Sequence, residues 1–263
     1  FGHKKLRRSN IPYIVTCHGS DIHQLPVKSK SQIEYNLECL SLATHVIFVS
    51  NFLNNVAKQL GFNSENYSVI NNGINIQKFK YNKKEAKQQF NVGYFGNLIP
   101  IKRVHLLPEI FYKVKQKIEN IRFMICGGGS EFESIKNKIS QLNIDVSFFS
   151  RFEHKELVEY LKLVDVIVMP SKCEGFPCIP LEARAMGVPT VGSNNGGLPE
   201  SIGEFGRVID DGPNMIEEFV EAIIDLLQNP VDADDLVENA KQQSWENIVK
   251  KEIDIYQKYA KKQ

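Results

Sequence analysis

The segment VDVIVMPSKCEGFPCIPLEARAMGVPTVGSNNGGLPE, residues 164–200, carries the features that decide the fold. It begins with the apolar run Val164–Met169, which predicts a buried strand, and passes through a glycine-containing loop into a helical segment around Glu182. The short run Thr190–Val191 predicts the next strand, and Gly196–Gly197 predicts another strand-to-helix turn. Strand, loop and helix in this order are typical of a parallel sheet whose connections are helices.

The same alternation extends over most of the chain. Six short apolar runs predict strands at Val92–Phe95, Arg122–Cys126, Val146–Phe149, Val164–Met169, Thr190–Val191 and Gly206–Ile209. The intervals between them mostly have helical periodicity, so the sequence predicts an α/β fold with a doubly wound, six-stranded parallel sheet, which is one complete Rossmann-like domain.

A shorter set of elements comes before this domain. Strands are predicted at Ile11–Thr16, His45–Val49 and Tyr67–Ile70, and the last of them is expected to end in a turn at Asn71–Gly73, because Asn and Gly tolerate positive φ. The lysine-rich stretch Lys78–Gln89 is interpreted as a domain boundary. The predicted organisation is therefore an incomplete first Rossmann-like domain (1–80), a complete second one (81–243) and a C-terminal helix (244–263) that returns to the first.

Composition narrows the functional classes. The chain of 263 residues is 42% hydrophobic and 24% charged, as in soluble globular proteins, and its net charge of +1 gives no field that would attract nucleic acid. It contains no run of about 18 apolar residues, no signal peptide and no zinc-ligand spacing among its five cysteines, so a cytoplasmic protein with reduced thiols is expected. The basic segment His3–Arg8 is either a solvated helix end or a contact with an anionic membrane or phosphate. Asp232–Asp234 is interpreted as a helix start rather than as a metal site.

Ligands of open parallel sheets bind at the carboxyl ends of the strands, where the second domain has four candidate loops. In the loop Gly96–Arg103, Gly96 allows close backbone approach, and Lys102 and Arg103 place positive charge beside a helix start, where a diphosphate could bind. The alternative is a plain turn with a solvated Lys-Arg pair.

The next two loops give weaker signals. The glycines of Cys126–Ser130, with Gly128 at the centre, fit either backbone approach to a ligand or a tight turn before a helix. In Ser150–Phe152, backbone groups at the strand end could contact a nucleotide base, with Arg151 and Phe152 beside it.

The fourth loop, Pro170–Ala183, is the most specific. Glu174 lies at the strand end and Glu182 lies one to two turns into the following helix. A carboxylate accepts two hydrogen bonds, which suits vicinal sugar hydroxyls, and backbone amides after Gly175 would point at an anion. The alternative is two solvated carboxylates. In the first domain, His18 follows a strand in the loop Thr16–Asp21, which favours a functional loop over a capped polar residue.

Together these segments resemble the retaining glycosyltransferase family 4, which has the GT-B fold. The resemblance covers essentially the whole chain, and its elements occur in the family's order. They are His18–Asp21, Val49–Ser50, Asn72–Asn75 with Phe79, Gly96–Lys102, Gly127–Gly129, Asp165–Ser171, Glu174 with Glu182, and Gly196–Glu200.

The resemblance implies two Rossmann-like domains and a nucleotide-diphosphate sugar as donor, used without a metal or other cofactor. Lys102 would bind the diphosphate, Glu174 the donor sugar and Glu182 the ribose, and His18 would face the transferred sugar. Further donor-binding positions implied by the family are Gly96, Asn97, Arg103, Gly128, Arg151, Phe152, Gly175, Phe176, Cys178 and Ile179. The partner would be a glycan or lipid-linked acceptor, and the activity would be of the hexosyltransferase type in cell-surface polysaccharide biosynthesis.

The chain departs from the family pattern at three places. Asn97 stands where many members have Arg, and Arg103, which stands where Gly is usual, could compensate for it. Pro177 has no backbone N–H to donate. The part before Lys78 is about half of a full first domain, so the start of that domain is expected to be missing. Two other hypotheses therefore stay open: a nucleotide-sugar-binding module without transfer activity, and a sugar-nucleotide epimerase of the same fold.

Overall fold

A computed structural model describes residues 11–19, 22, 30–82, 89–149, 153 and 155–260. In chain order its elements are β1 (Ile14–Cys17), α1 (Lys30–Ser41), β2 (His45–Phe48), α2 (Asn51–Gln59), β3 (Tyr67–Val69), β4 (Phe90–Phe95), α3 (Leu107–Lys117), β5 (Ile121–Cys126), α4 (Phe132–Gln141), β6 (Val146–Phe149), α5 (Leu157–Leu163), β7 (Val166–Met169), α6 (Ile179–Ala185), β8 (Thr190–Ser193), α7 (Leu198–Ile202), β9 (Arg207–Ile209), α8 (Met215–Gln228), α9 (Ala233–Gln242) and α10 (Trp245–Ala260). None of the described helices is long and apolar enough to cross a membrane.

The chain divides into two compact units. The first comprises Phe1–Gly73, Glu174–Phe176 and Gln243–Gln263, and the second comprises Ile74–Cys173 and Pro177–Gln242. The C-terminal helix thus groups with the first unit, as do three residues of the loop after β7.

The first unit contains a three-stranded parallel sheet in the order β1-β2-β3. Its central strand β2 is buried along its whole length, because helices cover an all-parallel sheet on both faces. Ile47 of β2 packs with Ile70 and with Ile248 of α10. Two hydrogen bonds add to this contact: the two ring nitrogens of buried His45 lie 3.2 Å from the Tyr259 hydroxyl and 2.9 Å from the Ser68 hydroxyl. Burial and the charge of Lys258 lower the pKa of His45.

The second unit contains the six-stranded parallel sheet in the order β6-β5-β4-β7-β8-β9. The order reverses between β4 and β7, so the sheet has a topological switch point there. Helix α3 packs on α8, and its Phe111 stacks on Phe123 of β5 with ring centroids 4.4 Å apart. The predicted doubly wound six-stranded sheet is confirmed.

The first predicted strand, Ile11–Thr16, is observed at Ile14–Cys17, and three further local predictions differ from the structure. Asn71–Gly73 is not a positive-φ turn: a Cβ on Gly73 would lie 2.7 Å from Trp245 Cδ2, so the glycine makes room for a packed indole. The strand predicted from Val164 starts at Val166, and Asp165 before it bonds Asn91 twice: its backbone N–H donates to the Asn91 carbonyl at 2.8 Å, and its carboxylate accepts the Asn91 N–H at 2.8 Å. The interval after β4, whose helical periodicity predicts a helix, begins with two short 3-10 turns that meet at Arg103, and its α-helix starts only at Leu107.

Residues 215–260 contain the helices α8, α9 and α10. Helix α8 ends before Asn229–Pro230, and α10 begins at Trp245. The carboxylate of Asp232 accepts the backbone N–H of Asp234 at 2.8 Å, which caps the start of α9 and confirms the interpretation of this acidic pair as a helix start.

Candidate active site

The candidate loops of the second unit lie at one edge of its sheet. All six strands are parallel, so their carboxyl ends point the same way, and the loops after β4 and β7 flank the switch point. These two loops are bonded directly, because the backbone N–H of Lys172 donates to the carbonyl of Ile101 at 2.8 Å. The first loop carries Lys102, and the second leads to Glu174.

The loops after β4 and β5 are paired through their backbones. Gly96 N–H donates to the Cys126 carbonyl at 3.0 Å, and Leu98 N–H donates to the Gly128 carbonyl at 2.9 Å. The approach is so close that a Cβ on Gly127 would lie 1.8 Å from the Gly96 carbonyl oxygen. A Cβ on Gly129 would lie 2.3 Å from the Leu98 carbonyl oxygen.

The outer glycines of the triplet are therefore explained by the neighbouring loop. Both also have φ near +150°, which side chains rarely adopt: 150° at Gly127 and 156° at Gly129. Gly128 lies between them and is half-buried, and its assignment as a donor contact stays a prediction. Cys126, which ends β5, is buried, and burial raises the pKa of its thiol to about 12, so this cysteine is a packing residue and not a nucleophile.

Arg103 is held in an ion pair at the outer end of the loop after β4. Its two terminal nitrogens each lie 2.6 Å from one oxygen of Asp211, which follows β9. Asn195 donates to the same carboxylate at 2.8 Å. Hydrogen bonding from Arg103 is the main cause that lowers the pKa of Asp211 to about 2. Arg103 is expected to compensate for the arginine that many family members have at the position of Asn97. Its charge is, however, already balanced by Asp211.

Lys102 ends the first 3-10 turn and is half-buried, and Asn97 before it is exposed. The residue between Lys102 and the next turn, Arg103, has φ 49°, which is unusual for a residue with a side chain. The ion pair with Asp211 supplies a tertiary contact that holds this conformation.

The two glutamates of the loop after β7 are buried. Glu174 is 7% exposed, and Glu182, in the first turn of α6, is 5% exposed. Carboxylates are rarely buried to this extent outside specific polar environments. The alternative of two solvated carboxylates is therefore wrong, although their assignment to sugar and ribose stays a prediction.

Buried hydroxyls hold the ends of this loop in the second unit. Ser193, at the end of β8, donates to the carbonyl of Ser171, and Ser201, in α7, donates to the carbonyl of Pro177. Both serines are fully buried. Because a buried carbonyl without a donor costs free energy, each hydroxyl fixes one loop peptide.

The middle of the loop, Glu174–Phe176, is held by residues of the first unit. The Ser50 hydroxyl donates to the carbonyl of Gly175 at 2.7 Å, and the Asn72 amide donates to the carbonyl of Phe176 at 3.3 Å. A Cβ on Gly175 would lie 2.5 Å from the carbonyl oxygen of His18. The predicted residues His18, Gly175 and Phe176 are thus brought together, with the His18 side chain exposed.

The remaining predicted positions lie at the start of α6 or outside the described residues. Cys178 is exposed and Ile179 is half-buried at the first turn of that helix. Arg151 and Phe152 lie outside the described residues, as do Ser150 and the Ser20–Asp21 part of the first-domain loop.

Comparison with known proteins gives a consistent assignment. The sequence profile described as "Glycosyl transferases group 1" matches residues 75–243, and the profile described as "Glycosyltransferase Family 4" matches residues 1–78. The chain belongs to the group 1 glycosyl transferases. Among its relatives, the putative teichuronic acid biosynthesis glycosyltransferase TuaC of Bacillus subtilis is 28% identical over 250 residues, which are 89% of this chain and 61% of the relative.

Solved structures share the fold of this group 1 member. Sucrose-phosphate synthase from Thermosynechococcus elongatus superposes with a TM-score of 0.82 at 21% identity, over 99% of this chain and 71% of that protein. Anabaena HepE in complex with UDP-glucose superposes with a TM-score of 0.79 at 20% identity, over 99% of this chain and 75% of that protein. The chain spans 61%, 66% and 50% of the length of three curated relatives that it matches.

Sequence reasoning missed the residues that hold the site in place. These are Ser50, Asn72, Ser193, Ser201 and Asp211. Ser50 and Asn72 lie within segments on which the family resemblance rests, Val49–Ser50 and Asn72–Asn75, and this is their only sequence signal. The others are common polar residues whose partners are distant in sequence.

Proposed function

We propose that this chain is the nucleotide-sugar-binding part of a glycosyltransferase that moves a sugar from a nucleotide-diphosphate sugar to a glycan or lipid-linked acceptor with retention. The observation that carries this proposal is the bonded pair of loops at the switch point, one with Lys102 and the other leading to buried Glu174. Lys102 offers a cation for a diphosphate at the carboxyl edge of the second unit's sheet, and Glu174 offers a carboxylate for sugar hydroxyls in the loop that begins at that edge.

The relatives support the substrate class. TuaC is named for teichuronic acid biosynthesis, and the HepE structure contains UDP-glucose. By the same assignment, the product of this chain is a cell-surface polysaccharide, and the transferred group is a hexose.

The chemistry requires stabilisation of the leaving nucleoside diphosphate as the glycosidic bond breaks. Lys102 supplies a preorganised positive charge for the departing phosphate oxygens. Glu174 accepts hydrogen bonds from hydroxyls of the donor sugar, and Glu182 accepts them from the ribose. The base is flanked by Arg151–Phe152 and Cys178–Ile179, His18 faces the transferred sugar, and the reaction proceeds without a metal or other cofactor.

The test is the substitution Lys102→Ala in the full-length protein. Loss of one preorganised charge at the leaving group is expected to lower donor turnover by roughly 100-fold to 1,000-fold. Turnover is followed as nucleoside diphosphate release from a panel of donors that includes UDP-glucose, and thermal unfolding checks the fold. Lys136→Ala, which removes an exposed lysine of α4, is the matched control. Near-normal turnover in Lys102→Ala would refute the assignment.

Product analysis separates the alternatives. A binding module takes up UDP or UDP-glucose in calorimetry and releases no product. An epimerase converts the donor sugar when no acceptor is present. A transferase forms a new glycoside whose yield depends on the acceptor.

The proposal includes a cytoplasmic location at the membrane, because a lipid-linked acceptor would be found there. The basic segment His3–Arg8, which would contact the anionic surface, lies outside the described residues. Its role stays a prediction that vesicle sedimentation of the protein with and without residues 1–10 can test.

A further inference from the structure

We propose that Ser50 is a positioning residue for Glu174: its hydroxyl caps helix α2 and also fixes the Gly175 carbonyl, which orients the carboxylate one residue earlier. This inference rests on the proposed function of Glu174 as a contact of the donor sugar. It adds a residue that sets the geometry of this contact without touching the donor.

The hydroxyl of Ser50 has a fixed hydrogen-bonding direction. The backbone N–H of Leu53 can only donate, so at 3.2 Å the hydroxyl accepts from it. The carbonyl of Gly175 can only accept, so at 2.7 Å the hydroxyl donates to it. The hydrogen and one lone pair of the Ser50 hydroxyl therefore have separate partners. No other rotation of the hydroxyl satisfies both of them.

The environment makes this contact hard to replace. Ser50 is fully buried, and Gly175 is buried beside it. A carbonyl in such a place needs a donor, because leaving it without one costs the full desolvation penalty.

Two further contacts restrict the same peptides. The Asn72 amide bonds the next carbonyl, that of Phe176, at 3.3 Å. The backbone of His18 lies so close to Gly175 that a Cβ would come within 2.5 Å of its carbonyl oxygen. Consecutive peptides after Glu174 are thus fixed, and Ser50 makes the shorter of the two hydrogen bonds.

The capping role and the positioning role can be separated by substitution. Glycine is nearly as good an N-cap as serine, so Ser50→Gly leaves the start of α2 almost intact and removes the donor to Gly175. Ser50→Thr keeps a hydroxyl and is the rescue variant. Ser244→Gly is the matched control, because Ser244 is also buried and accepts the Asn247 N–H at 3.4 Å at the start of α10.

The experiment compares a ligand with the sugar to one without it. The Kd of UDP and of UDP-glucose is measured by calorimetry for each variant, together with kcat for the donor that the wild type uses. Ser50→Gly is expected to lose roughly tenfold in kcat or in UDP-glucose affinity, the equivalent of one buried hydrogen bond, while its Kd for UDP changes by less than about twofold. Ser50→Thr should recover most of the loss, and Ser244→Gly should show none.

A second variant guards against misfolding. Asn72→Asp removes the amide donor to Phe176 without changing α2. It should raise the Kd for UDP-glucose relative to the Kd for UDP, as Ser50→Gly does, but by a smaller factor. Wild-type sugar affinity and kcat in folded Ser50→Gly would overturn the positioning role, as would an equal loss in Ser244→Gly. A wild-type protein that binds no UDP or donor sugar would overturn the proposed function itself, and this role with it.

Discussion

Apart from the backbone hydrogen bond between Lys172 and Ile101 that joins them, the loops on the two sides of the switch point are held in place by different kinds of contact. On one side, the loops after β4 and β5, Gly96–Arg103 and Gly127–Ser130, bond to each other backbone to backbone. On the other side, the loop after β7, Pro170–Cys178, is held at its carbonyls by side-chain donors from distant segments. We call these the backbone-paired loops and the side-chain-anchored loop.

The difference predicts how each side responds to substitution. The backbone-paired loops depend on the absence of side chains, so adding one carbon atom forces two strand ends apart. The side-chain-anchored loop depends on single hydroxyl and amide groups, so removing one leaves the chain path intact and frees one peptide. An added side chain in the backbone-paired loops should therefore destabilise the fold most, and a lost donor in the side-chain-anchored loop should destabilise it less and change the orientation of the loop.

The largest effect is expected for Gly127→Ala. A Cβ there would lie 1.8 Å from the Gly96 carbonyl oxygen, and the residue has φ 150°. The clash is with backbone, which cannot rotate away, so the free energy of unfolding should fall by more than about 3 kcal/mol. Urea unfolding followed by circular dichroism measures it. Gly212→Ala is the control, because a Cβ at Gly212 has no heavy atom within 4 Å. Equal unfolding midpoints for the two variants would show that the loops are not tightly paired.

Much of the second unit could be predicted from sequence because its signals are local. Strand β6 at Val146–Phe149 has the predicted bounds, and helix α10 of the first unit, at Trp245–Ala260, lies within the C-terminal helix predicted at 244–263. In each case apolar residues recur with the spacing of one type of element, and polar or turn-forming residues bound them. The type and the ends of the element can therefore be predicted from neighbouring residues. The position of Glu174 after β7 also follows from the strand alone.

The contacts that hold the site could not be predicted, because they join residues far apart in sequence. Ser50 and Gly175 are separated by 125 positions, and Arg103 and Asp211 by 108. A local signal can even mislead when a tertiary contact decides: Asn71–Gly73 has turn chemistry, but the ring of Trp245 accounts for its glycine. Burial of Glu174 and Glu182 likewise appears only when the chain is folded.

An intermediate effect is expected for Ser193→Ala in the side-chain-anchored loop. The substitution removes the only atom of Ser193 that donates to the Ser171 carbonyl and leaves that buried acceptor without this donor. The free energy of unfolding should fall by about 1–3 kcal/mol, less than for Gly127→Ala. Ser140→Ala, at an exposed position of α4, is the control and should be neutral within about 0.5 kcal/mol. If both serine variants unfold at the same urea concentration, the hydroxyl does not anchor the loop.

The smallest effect is expected for Asp211→Asn, which removes the ion pair with Arg103 at the end of a backbone-paired loop. The pKa of Asp211 is lowered to about 2, below that of an unfolded aspartate, so its contribution is present above about pH 4 and is lost as the pH falls through about 2. The Asp211 side chain is 47% exposed, and solvent screening limits the contribution to less than about 1 kcal/mol. Thermal unfolding at pH 7, 5 and 3 should show a small deficit for the variant that shrinks toward pH 3 and at high salt. Asp210→Asn is the control, because its carboxylate accepts a bond from neutral Asn194 and not from an arginine. A deficit that stays constant across this pH range would mean that lost packing, and not the charge of Asp211, causes it.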